Sequence, residues 1–308
     1  MESQEVLRLY EEGYRNFSGL SLTGVDLSAR ILVDVNFSNA DLTGAIFRRT
    51  FLTNANFSGA TLNRADFQFA KLSKTCFESA TLTKATLRGA FAVRASFLKA
   101  GLSGANMTHI NLRAACLRES NCSSANLTGA NLRNADLSEG NFAWANMSGA
   151  RLIGAEIANA NFTETRLDHA FLNGLDFSGM SLSGVNFQAA RLKGASFQSA
   201  DLTAANLQAA SLQNSDFKWA QLAGATLAYA HLYKAQFSQA DLRRVDPTHV
   251  NWEDADLTNA YQKELGISHI DRAAKKAIRY QQNGYQQNEY PQNQTQNFEA
   301  TRVSSSYL

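Results

Sequence analysis

The residues able to do chemistry are few and scattered. Five histidines (His109, His169, His231, His249, His269) and three cysteines (Cys76, Cys116, Cys122) are the metal ligands and nucleophiles on offer. Such residues could hold a metal, the cysteines could form a disulfide, and Asp168 beside His169 could orient an imidazole. No CxxC pair occurs, and no glycine-rich phosphate loop. Asp168 and His169 are adjacent, but no nucleophile accompanies them. Whether any of these groups meet depends on the elements that carry them.

Those elements are set by a period of five. The stretch "ANLTGANLRNADLSEGNFAWANMSGA", Ala125 to Ala150, repeats every fifth residue. Stepping by five from Phe17, an apolar or small centre recurs through Leu22, Leu27, Leu32 and Phe37 to Leu242 without insertion. Pro247 interrupts the pattern, and Trp252 and Leu257 resume it. Two residues before each centre stands Ala or another small residue in most units. Residues two apart share a face of an extended chain, so each unit predicts a very short strand. The two residues after the centre are polar and often end in Gly or Asn, which tolerate the positive φ of tight turns. An odd period would flip a straight strand at every step. A corner in every unit removes the conflict, and the chain coils with Ala and Leu facing inward.

The number of sides comes from sorting the centres with a period of twenty. The class from Phe17 to Leu257 holds nine Phe in thirteen positions. The class from Leu32 to Trp252, sorted up to Leu232, is Leu at ten of eleven. One wall therefore carries a Phe ladder and another a Leu ladder. About twelve four-sided coils at ~4.8 Å each would make a rod of ~58 Å. This is an all-β solenoid.

With A-[ND]-L-x-x running over about 240 residues, the sequence resembles the pentapeptide-repeat proteins. The resemblance implies a right-handed quadrilateral β-helix. The N-terminal run "EVLRLYEEGYRNFSG" resembles the cap of cytosolic cyanobacterial members, including a regulator of heterocyst differentiation. The expected organisation is a helical cap over 1–16, the β-helix over 17–260, a second helical cap over 261–280 and a disordered Gln/Asn-rich tail over 281–308. The second cap rests on Ser268 and Asp271 as a capping box before Ile270, Ala274, Ala277 and Ile278. The tail keeps the five-residue period with Gln282, Gln287 and Gln292 at its centres, so it cannot bury a core.

On such a coil the chemical residues do not meet. His109 and His169 lie three laps apart, about 14 Å, beyond shared metal ligation. Cys76 and Cys116 lie two laps apart, about 10 Å, beyond a disulfide. Cys122 is a core centre and reads as a small buried hydrophobe. No catalytic set, metal site or cofactor is expected, and an enzyme is the least favoured class.

The outward charges carry more information. The formal net charge of +2 hides two opposed walls. The Leu wall carries Lys71, Lys74, Arg94, Arg113, Arg133, Arg151, Arg191, Lys193 and Lys234, with acids only at its ends. Phe91 and Phe171 are interleaved among them, with Phe51, Val93, Ile153 and Tyr233. The Phe wall has eight acids, among them Asp136, Glu139, Glu156, Asp176 and Asp216, against three cations. The expected function is a non-enzymatic interaction scaffold, regulatory in role, that offers its basic wall to an acidic protein partner. Nucleic acid, bound through the same basic residues, ranks behind it. The family resemblance adds a third reading, mimicry of DNA toward gyrase, which the balanced charge of the solenoid disfavours. No apolar run reaches the ~18 residues of a membrane span. A cytoplasmic protein is expected, either monomeric or dimeric through the C-terminal helix.

Overall fold

The computed structural model describes residues 1–262. The expected C-terminal cap and tail, and the dimer contact placed on that cap, lie outside the described residues. Helix α1, Ser3–Glu11, opens the chain. Its Val6 is fully buried, and Leu7, Leu9 and Tyr10 pack on the same core. The Tyr10 hydroxyl donates to the Val33 carbonyl at 3.1 Å, and the Ser3 hydroxyl accepts from the Asp26 amide at 3.0 Å. Helix α1 thus covers the N-terminal end of the repeat region.

From Asn16 onward the chain is a four-sided spiral. With two exceptions, parallel bridges join the residue before each centre to the one twenty positions later, from Asn16–Asn36 to Asp241–Tyr261. The centres and the small residues two places earlier face inward, and the centres from Leu22 to Leu152 are essentially inaccessible. The phenylalanines stack at lap spacing: Phe57 on Phe77 at 5.1 Å, Phe77 on Phe97 at 4.8 Å, Phe217 on Phe237 at 4.6 Å between ring centroids. Phe67 on the neighbouring wall meets both Phe57 and Phe77 edge to face. The interior is a close-packed column of side chains.

The backbone explains why the period is five. In a typical unit the amide before the centre donates to the preceding lap, as Asn126 does to Ala105 at 2.9 Å. The centre's amide donates to the next lap, as Leu127 does to Asn146 at 2.7 Å. The second corner residue also donates forward, as Gly129 does to Ser148 at 2.9 Å, and the third closes the turn, as Ala130 does to Leu127 at 2.9 Å. One amide remains, on the residue directly after the centre. The side chain before the centre takes it: Asn126 Oδ1 accepts from the Thr128 amide at 3.1 Å. Asp136 does the same for Ser138, and Asp216 for Lys218. Asn or Asp recurs at that place because its short side chain reaches a donor two residues on.

The corner is stricter than Gly or Asn alone would require. Every fifth residue from Gly19 to Asn259 has positive φ, and most of them are not glycine. Phe69, Trp144, Trp219 and Tyr229 all adopt it. No β-branched residue occupies any of these positions, in keeping with the severe clash such side chains meet there. The left-handed corner is held by an amide bond to the next lap, such as Trp144 to Thr163 at 2.9 Å.

Among the described residues the spiral is interrupted once in its interior. The bridges that would join Glu156 to Asp176 and Asn161 to Ser181 do not form, while Arg151–Phe171 and Arg166–Asn186 on the other two walls do. Leu175, Met180 and Val185 fill three successive units of the small inward position beside the opening. Size at that position does not by itself open a lap, because the ladders beside Val25, Val35 and Ile110 are closed.

Candidate functional site

The basic wall is built on one bridge ladder that runs Phe51, Lys71, Phe91, Asn111, Asn131, Arg151, Phe171, Arg191. Aromatic and basic side chains therefore stand on adjacent laps. The Lys71 ammonium sits 5.7 Å from the Phe91 ring centre, and Phe171 lies between Arg151 at 5.5 Å and Arg191 at 4.5 Å. Exposed contacts of this kind contribute about 0.5–1 kcal/mol and hold the cations against the wall. Lys74 and Arg94 extend from the corners, and Arg113, Arg133 and Lys193 from the position after the centre. Lys71, Lys74, Arg94, Arg113, Arg151, Arg191 and Lys193 are all exposed on this wall, and Arg133 and Phe171 are half-exposed. Phe91 remains 41% exposed although Lys71 covers it in part.

None of these eight cations has a carboxylate within 4.0 Å among the described residues. The acidic wall is different. Its three cations are all paired: Lys99 with Glu119 at 3.4 Å, Arg118 with Glu139 at 2.9 Å, and Lys218 with Asp216 at 3.6 Å. Asp136, Asp176 and Asp216 also accept the turn amides of Ser138, Ser178 and Lys218. Of the five acids that the sequence singles out there, Glu156 alone makes neither an ion pair nor a side-chain hydrogen bond among the described residues.

The chemical residues stay apart. Three bridge steps, Asn106–Asn126–Asn146–Arg166, separate the laps of His109 and His169, and two separate Cys76 from Cys116. The three cysteines are free, and burial pushes the Cys122 thiol up to about 12 against a small opposing effect of Ser120. The His109 imidazole lies over the corner at Gly129, where an added Cβ would meet Nδ1 at 2.5 Å. No group of three His, Cys, Asp or Glu residues suited to a metal occurs among the described residues. No described helix is long and apolar enough to cross a membrane.

Two features escape a reading of the outward charges alone. The acids before the centres are turn acceptors, which their fixed place in the repeat signals. The opening at 155–181 carries no distinct signal, because large residues also stand at the small position in closed laps, as Val35 and Ile110 do.

Known proteins share this repeat. A family model described as pentapeptide repeats matches in eight copies, overlapping over 21–113 and 115–235. The comparison with curated proteins finds no match. Among solved structures, the chain is similar to HetL, a pentapeptide repeat protein involved in heterocyst differentiation regulation from the cyanobacterium Nostoc sp. strain PCC 7120. Identity is 30%, over 86% of this chain and 98% of that one, with a TM-score of 0.28. QnrB1, a plasmid-mediated fluoroquinolone resistance protein, is 19% identical over 73% of this chain and 92% of that one, with a TM-score of 0.30. Rfr23, a pentapeptide repeat protein from the cyanobacterium Cyanothece 51142, is 23% identical over 51% and 97%, with a TM-score of 0.21. Superpositions this loose carry no argument. The repeat match alone spans more than half of the sequence, and on that ground the chain belongs to the pentapeptide-repeat family.

Proposed function

We propose that this protein is a non-enzymatic, regulatory interaction scaffold: a rod of about twelve coils, covered at its N-terminal end by helix α1, that docks an acidic protein on its basic wall. One observation carries the reading. Eight cations along the wall (Lys71, Lys74, Arg94, Arg113, Arg133, Arg151, Arg191, Lys193) have no acid partner among the described residues, whereas the cations of the acidic wall are neutralised there. A row of unpaired charge on a rigid face concentrates an oppositely charged partner and speeds its association. The half-covered aromatics Phe91 and Phe171 supply apolar contact beside the charge, as the centres of protein interfaces do. We place the protein in the cytoplasm.

The acidic wall supports DNA mimicry less well, because Asp136, Asp176 and Asp216 hold turn amides and Glu139 is paired. The deciding experiment is affinity capture on the full chain, with and without Arg94→Glu, Arg113→Glu and Arg133→Glu together. A specific acidic protein should be captured by the parent, and capture should fall at least tenfold in the triple variant with its melting temperature unchanged. Equal capture by both removes the docking wall. Retention of DNA or RNA that weakens steeply with salt would assign the wall to nucleic acid instead.

A further inference from the structure

We propose that the opening between the laps of 155–161 and 175–181 is a slot that binds an extended peptide strand carrying basic side chains. Its two lips are backbone edges without partners, each rounding a left-handed corner, at Asn159 and at Gly179. On one side the amides of Ile157, Asn159, Phe162 and Glu164 make none of the forward bonds that their counterparts make elsewhere, such as Leu137 to Glu156 at 2.7 Å. On the other side the amides of Asp176 and Ser181 lack the backward bonds that Glu156 and Asn161 make to Ala135 and Gly140. The carbonyls of Ala155, Ala160, Asp176 and Ser178 are left without an amide in turn. The opening has a volume of about 830 Å³ and is lined by both lips together with Ile157, Leu175 and Met180. That volume lies in the range of ligand sites.

Facing rows of free donors and acceptors fit a strand better than any compact ligand. An extended segment satisfies an edge by backbone pairing and gains selectivity from alternate side chains. Inward-facing residues of such a segment would meet Ile157, Leu175 and Met180, and Ala-sized groups suit a place that Ala fills in most other laps. Its outward residues would stand beside Glu156 and Asp176, on the wall that also carries Asp136 and Glu139. Glu156 has no cation within 4.0 Å among the described residues, so Lys or Arg in the guest strand supplies one. The slot has the opposite charge from the basic docking wall and does not depend on it.

The opening is held by packing and by the two walls that remain closed. Arg151–Phe171 and Arg166–Asn186 keep the laps in register on either side. The guest therefore enters between laps that are not bonded to each other on these two walls and need not break a ladder.

The probe is a capped, fluorescein-labelled heptapeptide, Ala-Lys-Ala-Lys-Ala-Lys-Ala, titrated onto the full chain by anisotropy. Saturable binding is expected, at least tenfold tighter than for the same peptide with Glu for Lys or with alternate amides N-methylated. Hydrogen exchange should be fast at the amides of Ile157, Asn159, Asp176 and Ser181 in the free protein and slowed by the peptide. Glu156→Lys should weaken binding at least tenfold without affecting folding. Reversal of Arg94, Arg113 and Arg133 should leave it unchanged, which separates the slot from the docking wall. Absence of saturable binding, binding that survives N-methylation, or protection elsewhere than at these amides overturns the proposal.

Discussion

At the scale of single residues, each unit must satisfy one amide that the backbone cannot. Asn126 accepts both the Thr128 amide at 3.1 Å and its hydroxyl at 2.6 Å. Asn126→Ala leaves that amide without its partner, and about 1 kcal/mol of stability should be lost. Asn126→Asp should keep most of it, and denaturant midpoints of the two variants check the difference. The aspartates at the same place tie stability to pH. Hydrogen bonds from the Ser28 hydroxyl and then its amide hold Asp26 below the ordinary value of 3.8. The Thr43 hydroxyl and amide do the same for Asp41. A depressed folded value gives stability that is present above 3.8 and lost as the pH falls through the lowered one. The melting temperature should therefore drop below about pH 4, and the drop should be shallower in Asp41→Asn. These roles are legible in the sequence as a fixed place for Asn or Asp. Hidden in the sequence is that aromatic residues such as Trp144 and Tyr229 also take left-handed corners. The signal is an absence, since no Val, Ile or Thr stands there.

At the scale of elements, the wall classes read from the twenty-residue sorting are the stacks seen in the core. Phe77 lies between Phe57 and Phe97 and edge-on to Phe67. Phe77→Ala should cost about 3–5 kcal/mol. Phe77→Leu should cost less, because Leu117 and Leu137 already occupy that ladder. Urea unfolding of both variants tests the order. The walls are legible because inward residues must match their neighbours one lap away in register and size. The acidic wall is less free than its outward charges imply, because direction alone does not say that a carboxylate is already bonded to a turn amide. The basic wall is exposed as its spacing predicts, but its cation–aromatic contacts depend on side-chain directions that spacing does not fix.

At the scale of the whole molecule, each lap touches only its neighbours, so stability is a sum of lap and interface terms. The interface between 155–161 and 175–181 is weakened on two of its four walls. Denaturant unfolding should therefore show two transitions. One should be reported by Trp144 on the N-terminal side, the other by Trp219 and Trp252 on the C-terminal side. Single-tryptophan variants check this, and coincident midpoints would mean that the two closed walls couple the halves fully. The break is not legible in the sequence, because large residues at the small position, such as Val35 and Ile110, leave the ladder closed elsewhere. A four-sided spiral of five-residue units also treats insertions and deletions unequally. Removing five residues keeps every centre inside yet turns all later surfaces by a quarter of a revolution, so Arg133 would leave the row of Arg94 and Arg113. Removing twenty shortens the rod and keeps every row aligned. Length changes in whole laps can thus vary reach while preserving the surface a partner meets, and shorter changes rewrite that surface while sparing the core.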